Sequence, residues 1–170
     1  MYEVEVKLPI DDAPAWANRL NALTPMAGAG HEHDTYFAHP TRDFATTDEA
    51  LRLRDRDGRL ELTYKGPRED ATAKIRKEWN LDVKGPAGAL IEALGFRPVA
   101  AVIKHRRTWH LDGCAVTLDD VDGVGTYLEV EATGDDVAEA QTRMEAVVAK
   151  LDLTGVTPEP RSYLELQLSS

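Results

Sequence analysis

Tyr2-Glu3-Val4-Glu5-Val6-Lys7-Leu8 decides how this chain is read. The run alternates strictly, and a strand turns successive side chains to opposite faces. Glu3, Glu5 and Lys7 therefore share one face, and Val4, Val6 and Leu8 share the other. Two carboxylates beside an ammonium group suit a divalent cation and a phosphate. Taken alone, the run also suits an edge strand that shows its charges to water. The recurrence of the pattern along the chain separates the two readings.

Alternation and turn chemistry predict strands near 2–8, 33–38, 50–56, 59–65, 74–83, 101–111, 114–119 and 126–133, with a ninth near 163–168. In 50–56, Leu51 and Leu53 oppose Arg52 and Arg54. In 59–65, Leu60, Leu62 and Tyr64 oppose Glu61, Thr63 and Lys65. In 74–83, Ile75, Trp79, Leu81 and Val83 oppose Lys74, Arg76, Glu78, Asn80 and Asp82. Further on, Lys104, Arg106 and Thr108, then Thr117 and Asp119, then Tyr127, Glu129 and Glu131 stand opposite apolar partners. Asp57-Gly58 and Asp112-Gly113 read as tight hairpin turns. Short connections favour antiparallel pairing.

One face of almost every strand is thus charged, with both signs present. In an open sheet that face would meet solvent. In a closed barrel all of it converges on one lumen, which at eight strands has room for side chains or one small ligand. A lumen of Lys, Arg and a few carboxylates calls for a highly anionic guest with metal ions. Arg and Lys hold phosphate oxygens through charge-assisted bonds. Glu and Asp hold Mg²⁺ or Mn²⁺, which take hard oxygen ligands. No GxxxxGK[ST] loop is present, which argues against a P-loop enzyme.

Three helices are predicted. Residues 12–23 have Asp11 or Asp12 as cap and Pro14 in the first turn, with Trp16, Leu20 and Leu23 on one stripe. Residues 86–94 group Leu90, Ile91 and Leu94 and stop at Gly95. Residues 135–151 group Val137, Met144, Val148 and Leu151, with Asp135 and Asp136 at the positive helix end. Trp16, Trp79 and Trp109 are expected in the core. Pro67–Ala73 and Thr157–Pro160 read as loops.

At 170 residues and 18.8 kDa the chain reads as one domain, residues 1–170. Thirty acids against 20 bases give a formal net charge of -10, the opposite of a nucleic-acid-binding footprint. This reads as a solvated acidic surface suited to a salty interior. No apolar run reaches bilayer length, no leader precedes the first strand, and the single Cys114 has no internal disulfide partner. The expectation is a cytoplasmic protein without nucleic-acid or membrane partners, with a homodimer left open. His31, His33, His39 and Cys114 have no spacing that forces a zinc site, so they are read as surface, loop or packing residues.

Glu3-Val4-Glu5-Val6-Lys7 also resembles the ExExK signature of the CYTH family, the triphosphate tunnel metalloenzymes. The resemblance continues in order through Asp34-Thr35-Tyr36-Phe37, Ala50-Leu51-Arg52-Leu53-Arg54 and Leu62-Thr63-Tyr64-Lys65-Gly66-Pro67. Further along it takes in Arg76-Lys77-Glu78, Lys104-His105-Arg106, Leu118-Asp119, Tyr127-Leu128-Glu129-Val130-Glu131 and Ser162-Tyr163-Leu164-Glu165. Around His39-Pro40 and Arg42-Asp43-Phe44 it looks most similar to the class IV adenylate cyclase branch. The resemblance implies an α+β fold, a closed antiparallel eight-stranded barrel with flanking helices. It implies Mg²⁺ or Mn²⁺ at Glu3, Glu5, Glu129 and Glu131, with Asp119 as a further candidate. Lys7, Arg52, Arg54, Lys65, Arg76, Lys104 and Arg106 would line the phosphate path, and Glu5, Lys65, Arg106 and Asp119 would be catalytic. The implied reaction is conversion of ATP to 3′,5′-cyclic AMP and pyrophosphate. The alternative is hydrolysis of inorganic, thiamine or nucleoside triphosphate in the same tunnel. Glu78 is expected either at the metal or paired with an inward Arg, and Tyr163 either at a tunnel end or simply packed.

Overall fold

The structure, a computed structural model, describes residues 2–67 and 74–169. Most of the expected Pro67–Ala73 loop, and the side chains of Lys74 and Ile75, lie outside the described residues. Eight strands are present: β1 (Tyr2–Pro9), β2 (Met26–Ala38), β3 (Ala50–Arg56), β4 (Arg59–Lys65), β5 (Lys74–Val83), β6 (Arg97–Leu111), β7 (Cys114–Val121) and β8 (Gly125–Gly134). All pairs are antiparallel, and the order β1-β5-β4-β3-β2-β6-β7-β8 closes on itself into a barrel. Closure removes the sheet edges and turns one face of every strand inward.

The hairpin turns follow from local chemistry. Asp57 and Gly58 both have positive φ, 52° and 83°, and so do Asp112 and Gly113, 49° and 78°. Two successive left-handed residues match the twist of the strands they join.

The helices are α1 (Ala13–Leu23), α2 (Phe44–Thr47), α3 (Ala87–Ala93), α4 (Val137–Lys150) and α5 (Tyr163–Leu168). Asp12 caps α1 by accepting from Ala15 N at 2.9 Å, and Asp136 caps α4 by accepting from Glu139 N at 3.1 Å. The apolar stripes of α1 and α4 lie on the outer wall of β1, β6, β7 and β8. There Val4, Leu8, Leu20, Trp109, Val116, Leu118, Leu128, Val130, Val147 and Leu151 form the main core. Each such side chain contributes about 1.5–3 kcal/mol when fully buried. The apolar core therefore lies outside the barrel, and the lumen is left free for charge. No helix among the described residues is long and apolar enough to cross a membrane.

Three expectations need correction. Residues 163–168 form α5 and not a ninth strand. Ser162 accepts from Glu165 N, and the Glu165 carboxylate accepts from Ser162 N, a reciprocal cap that starts a helix. Trp79 is not core: it is 53% exposed, as is Leu81 at 61%, because α1 and α4 cover the opposite side of the barrel. Leu90 of α3 and Leu94 just after it are likewise exposed, and only Ile91 of that trio is buried.

Candidate active site

The strand register brings the inward charges together. Glu5 lies opposite Glu131, Lys7 opposite Glu129, Glu3 opposite Arg76 and Lys65 opposite Glu78. Glu3, Glu5, Lys7, Arg52, Arg54, Lys65, Arg76, Lys104, Arg106, Glu129 and Glu131 all line one cavity of about 780 Å³. Of the expected site residues, Asp119 alone is off that wall. It is fully buried behind Arg106, whose guanidinium it grips with both oxygens, one of them at 2.7 Å from Nε.

The lining divides by how its charges are balanced. On β2, Asp34 accepts from Arg54 Nε and Nη2 at 2.6 and 2.7 Å and lies 3.3 Å from Lys104 Nζ. Glu32 contacts Arg56, Arg54 Nε at 3.1 Å and Lys104 Nζ at 3.2 Å. Burial alone would raise both carboxyls. Lys104, Arg106, Arg54 and Arg56 outweigh it and hold Glu32 at about 2, and the Arg54 hydrogen bonds, Lys104 and Arg52 hold Asp34 far below its usual range. Lys104 itself is pushed down to about 8 by burial and by Arg106 and Arg54.

On the β1–β8 side the balance reverses. Burial and then Glu5 raise Glu131 from 4.5 to about 7. Burial raises Glu3 well above its usual value, against Lys65, with Glu78, Glu131 and Glu5 adding to the rise. Lys65 Nζ lies 3.0 Å from Glu3 and 2.7 Å from Glu78. Glu78 is held at about 2: burial works against this, while Lys65 and a hydrogen bond with Glu3 outweigh it. Among the described residues Glu78 thus has its ion pair with Lys65, and Arg52 adds a weaker pull. Glu129 bridges Lys7 Nζ at 3.2 Å and Arg106 Nη2 at 2.6 Å.

Some polar groups have surplus bonding capacity. Arg52 Nε, Arg76 Nε and Thr117 Oγ1 are buried with no hydrogen-bond partner, although the other Arg52 nitrogens reach Thr63 Oγ1 at 2.9 Å and Asp34 at 3.8 Å. An orphaned buried donor costs about 1–3 kcal/mol, so these arginines gain from an anion in the lumen. Among the described residues, no three histidines, cysteines or carboxylates stand converged as an ion would hold them. The donor set still fits a hard divalent cation. Glu5 adds to the rise of both Glu3 and Glu131, so positive charge placed among them would be favoured.

Sequence reading missed Glu32 and Asp34, because β2 was expected to begin at His33 and its inward set was not drawn. The alternation Glu32-His33-Asp34-Thr35-Tyr36 was the available signal. It left Tyr163 undecided. That residue donates to Asp119 Oδ2 at 2.9 Å, and its ring centroid lies 4.2 Å from Lys7 Nζ and 5.2 Å from Lys104 Nζ. α5 thereby places an aromatic floor under two lumen lysines. His39 is a loop residue whose Nδ1 accepts from Thr41 N and Arg42 N at 3.1 and 3.0 Å.

Comparison with known proteins agrees with this geometry. The model of the CYTH domain matches residues 1–163. A Methanocaldococcus jannaschii protein provisionally named an adenylate cyclase is 34% identical, over 98% of this chain and 99% of that one. The adenylate cyclase CyaB of Aeromonas hydrophila is 28% identical over 97% and 88%. The Pyrococcus horikoshii protein PH1819, of known structure, is 34% identical with a TM-score of 0.87 over 98% of both chains. A Hippeastrum protein described as having a dominant triphosphatase activity shares the fold alone, at 16% identity and a TM-score of 0.70 over 99% of this chain and 95% of that one.

Proposed function

Because this chain belongs to the CYTH family, we propose that residues 1–170 form one metal-dependent, triphosphate-processing domain that converts ATP to 3′,5′-cyclic AMP and pyrophosphate. One observation carries the proposal. A single cavity holds arginines with unused donors and, in Glu131, a carboxyl that burial and Glu5 hold raised. A polyphosphate with a divalent cation answers both needs at once.

In this reading Glu3, Glu5 and Glu131, with Glu129, hold Mg²⁺ or Mn²⁺. When bound, the ion neutralises charge on the phosphates and favours the attacking oxygen. Arg52 and Arg76 turn their free donors to phosphate oxygens, and Lys7, Lys65 and Lys104 add point charge along the path. Arg106 faces the cavity and is aimed by Asp119 from behind. Asp119 thus acts through Arg106 and touches no substrate. Arg54, saturated by Asp34, holds the wall more than it holds phosphate.

The ribose 3′-hydroxyl attacks the α-phosphorus in line. The new O3′–P bond replaces the bond to the bridging oxygen, and pyrophosphate leaves with that oxygen. The hydroxyl proton passes to a lumen carboxylate, and Lys65 and Arg106 offset the charge on the leaving group.

Product analysis tests this. ATP with Mn²⁺ or Mg²⁺ is expected to yield cyclic AMP and pyrophosphate in equal amounts, with little orthophosphate. 3′-Deoxy-ATP is expected to bind without turning over. Release of orthophosphate from that analogue at the ATP rate would mean that water attacks the terminal phosphorus and that the enzyme is a triphosphatase.

A further inference from the structure

Tyr163 reaches the phosphate path without belonging to its charged set. It is the first residue of α5 and is 6% exposed. Its hydroxyl donates to Asp119 Oδ2 on β7 at 2.9 Å, and its ring lies against Lys7 of β1 and Lys104 of β6. β7 and β8 separate β6 from β1 in the barrel, so no ladder bond fixes those two lysines relative to each other. Tyr163 touches both. Its own place is fixed by the chain around it. Glu159 N donates to Lys7 O at 2.8 Å and Lys7 Nζ donates to Arg161 O at 3.1 Å, while the reciprocal Ser162–Glu165 cap starts the helix.

The hydroxyl and the ring do different things. Asp119 holds Arg106 through both oxygens, and its Oδ2 also accepts from Tyr163. The last torsion of an aspartate is soft, and a further donor at one oxygen stops it turning. A two-point grip keeps the guanidinium coplanar with the carboxylate, so fixing one plane fixes the other. Burial, then Glu129 and Asp119, push the phenol well above its usual value, so the hydroxyl keeps its proton and stays a donor. The ring attracts an ammonium group through its face without adding a negative charge. Unlike Glu129 beside Lys7 or Asp34 beside Lys104, it neutralises neither lysine.

We propose that Tyr163 is a positioning residue of the phosphate grip: its hydroxyl fixes Arg106 through Asp119, and its ring sets Lys7 and Lys104 across the lumen. This rests on the triphosphate reading above. It gives α5, a helix that carries no cation of its own, a share in the site's function.

Titration calorimetry with inorganic tripolyphosphate and Mg²⁺ tests it. Tyr163→Phe and Tyr163→Leu are each made in the unmodified protein and in Arg106→Lys. Lysine keeps the charge of Arg106 but not the fork that Asp119 aligns. Tyr163→Phe is expected to weaken binding about fivefold in the first background and by less than about twofold in the second. Tyr163→Leu also removes the ring, and it is expected to cost about threefold more than Tyr163→Phe in both backgrounds, because Lys7 and Lys104 are present in each. Tyr163→Phe protein that binds like the unmodified protein, even with a lowered Tm, would make the hydroxyl a strut and overturn its role. An equal loss of affinity in both backgrounds would overturn it too, and either result leaves the triphosphate reading standing. Equal affinities of the Phe and Leu variants would overturn the role of the ring. Unmodified protein that does not bind tripolyphosphate would overturn the phosphate grip itself and this assignment with it.

Discussion

Asp34 and Glu131 are both inward carboxylates of one lumen, and they sit in opposite electrostatic states. Asp34 on β2 is gripped at both oxygens by Arg54 and faces Lys104 and Arg52, so its carboxyl is held far below the usual range. Glu131 on β8 faces Glu5 across the β1–β8 ladder and is raised to about 7. Asp34 is fully buried and Glu131 half-buried, and it is the more buried carboxyl that is lowered, so burial does not set the difference. The local count of cations does. The β2 side is a cation-rich network that holds its carboxyls ionised, whereas on the β1–β8 side Glu131 and Glu3 are raised and would gain from added positive charge. The shared alternation of charge thus serves two ends, one wall that ties the barrel and one that waits for a ligand.

The largest expected effect comes from breaking the β2 side. Asp34→Ala leaves Arg54 buried without its main partner and removes one of the two carboxylates on Lys104. It should cost about 3–5 kcal/mol, a fall on the order of 10 °C in Tm. A loss under about 1 kcal/mol in denaturant titration would put Asp34 among the surface-like ion pairs and erase the contrast.

The same contrast shows how much was legible beforehand. The strands β1, β3, β4, β5, β7 and β8 could be read almost to their ends because charge and apolar residues alternate along them. Met26-Ala27-Gly28-Ala29-Gly30 carries no such pattern, and it becomes strand only by pairing with β6 from Trp109 to Arg106. That hid Glu32. The start of β6, Arg97-Pro98-Val99-Ala100, was missed for the same reason. The apolar residues of 163–168 suit strand or helix equally, and the Ser162–Glu165 cap that decides for helix was overlooked. Lumen cations were legible because alternation marks them. Their partners were not, since pairing Arg54 with Asp34 or Arg106 with Asp119 depends on which strands become neighbours. Trp79 looked like core because hydrophobicity says which face is apolar but not which wall the helices cover.

The next effect sharpens the comparison on the phosphate side. Arg52→Ala and Arg76→Ala remove cations with unused donors, and each should weaken triphosphate binding by about 1.5–3 kcal/mol. Stability should change far less than in Asp34→Ala. Calorimetry with triphosphate checks the first point and thermal melts the second. Loss of stability without loss of affinity would make these arginines struts like Arg54.

A pH series gives a smaller and opposite pair of effects. An acid whose folded pKa is lowered contributes stability that is present above its unfolded pKa and lost as pH falls through the folded value. Glu32, at about 2, should therefore make the protein weaken below about pH 4. Glu131 has a raised pKa and works the other way. Its cost is absent below its unfolded value and grows as pH rises from there through about 7. Metal-free protein should thus melt lower at pH 8 than at pH 5.5. Glu131→Gln should flatten that slope and raise Tm at pH 8 by roughly 2–8 °C, equivalent to about 1–2 kcal/mol, while abolishing metal-dependent turnover. Parallel pH slopes in the two proteins would remove Glu131 from the repelling group.

The central claim is that a divalent cation relieves Glu131, which burial and Glu5 hold raised on the β1–β8 side. Thermal melts of metal-free protein at pH 8, with and without Mn²⁺ or Mg²⁺, test it most directly. A ligand at 100 times its Kd stabilises the folded state by about 2.7 kcal/mol, so Tm should rise on the order of 5–10 °C, and Glu131→Gln should lose most of that gain. Melting that is unmoved by either metal, or a rise equally large in Glu131→Gln, would contradict the account.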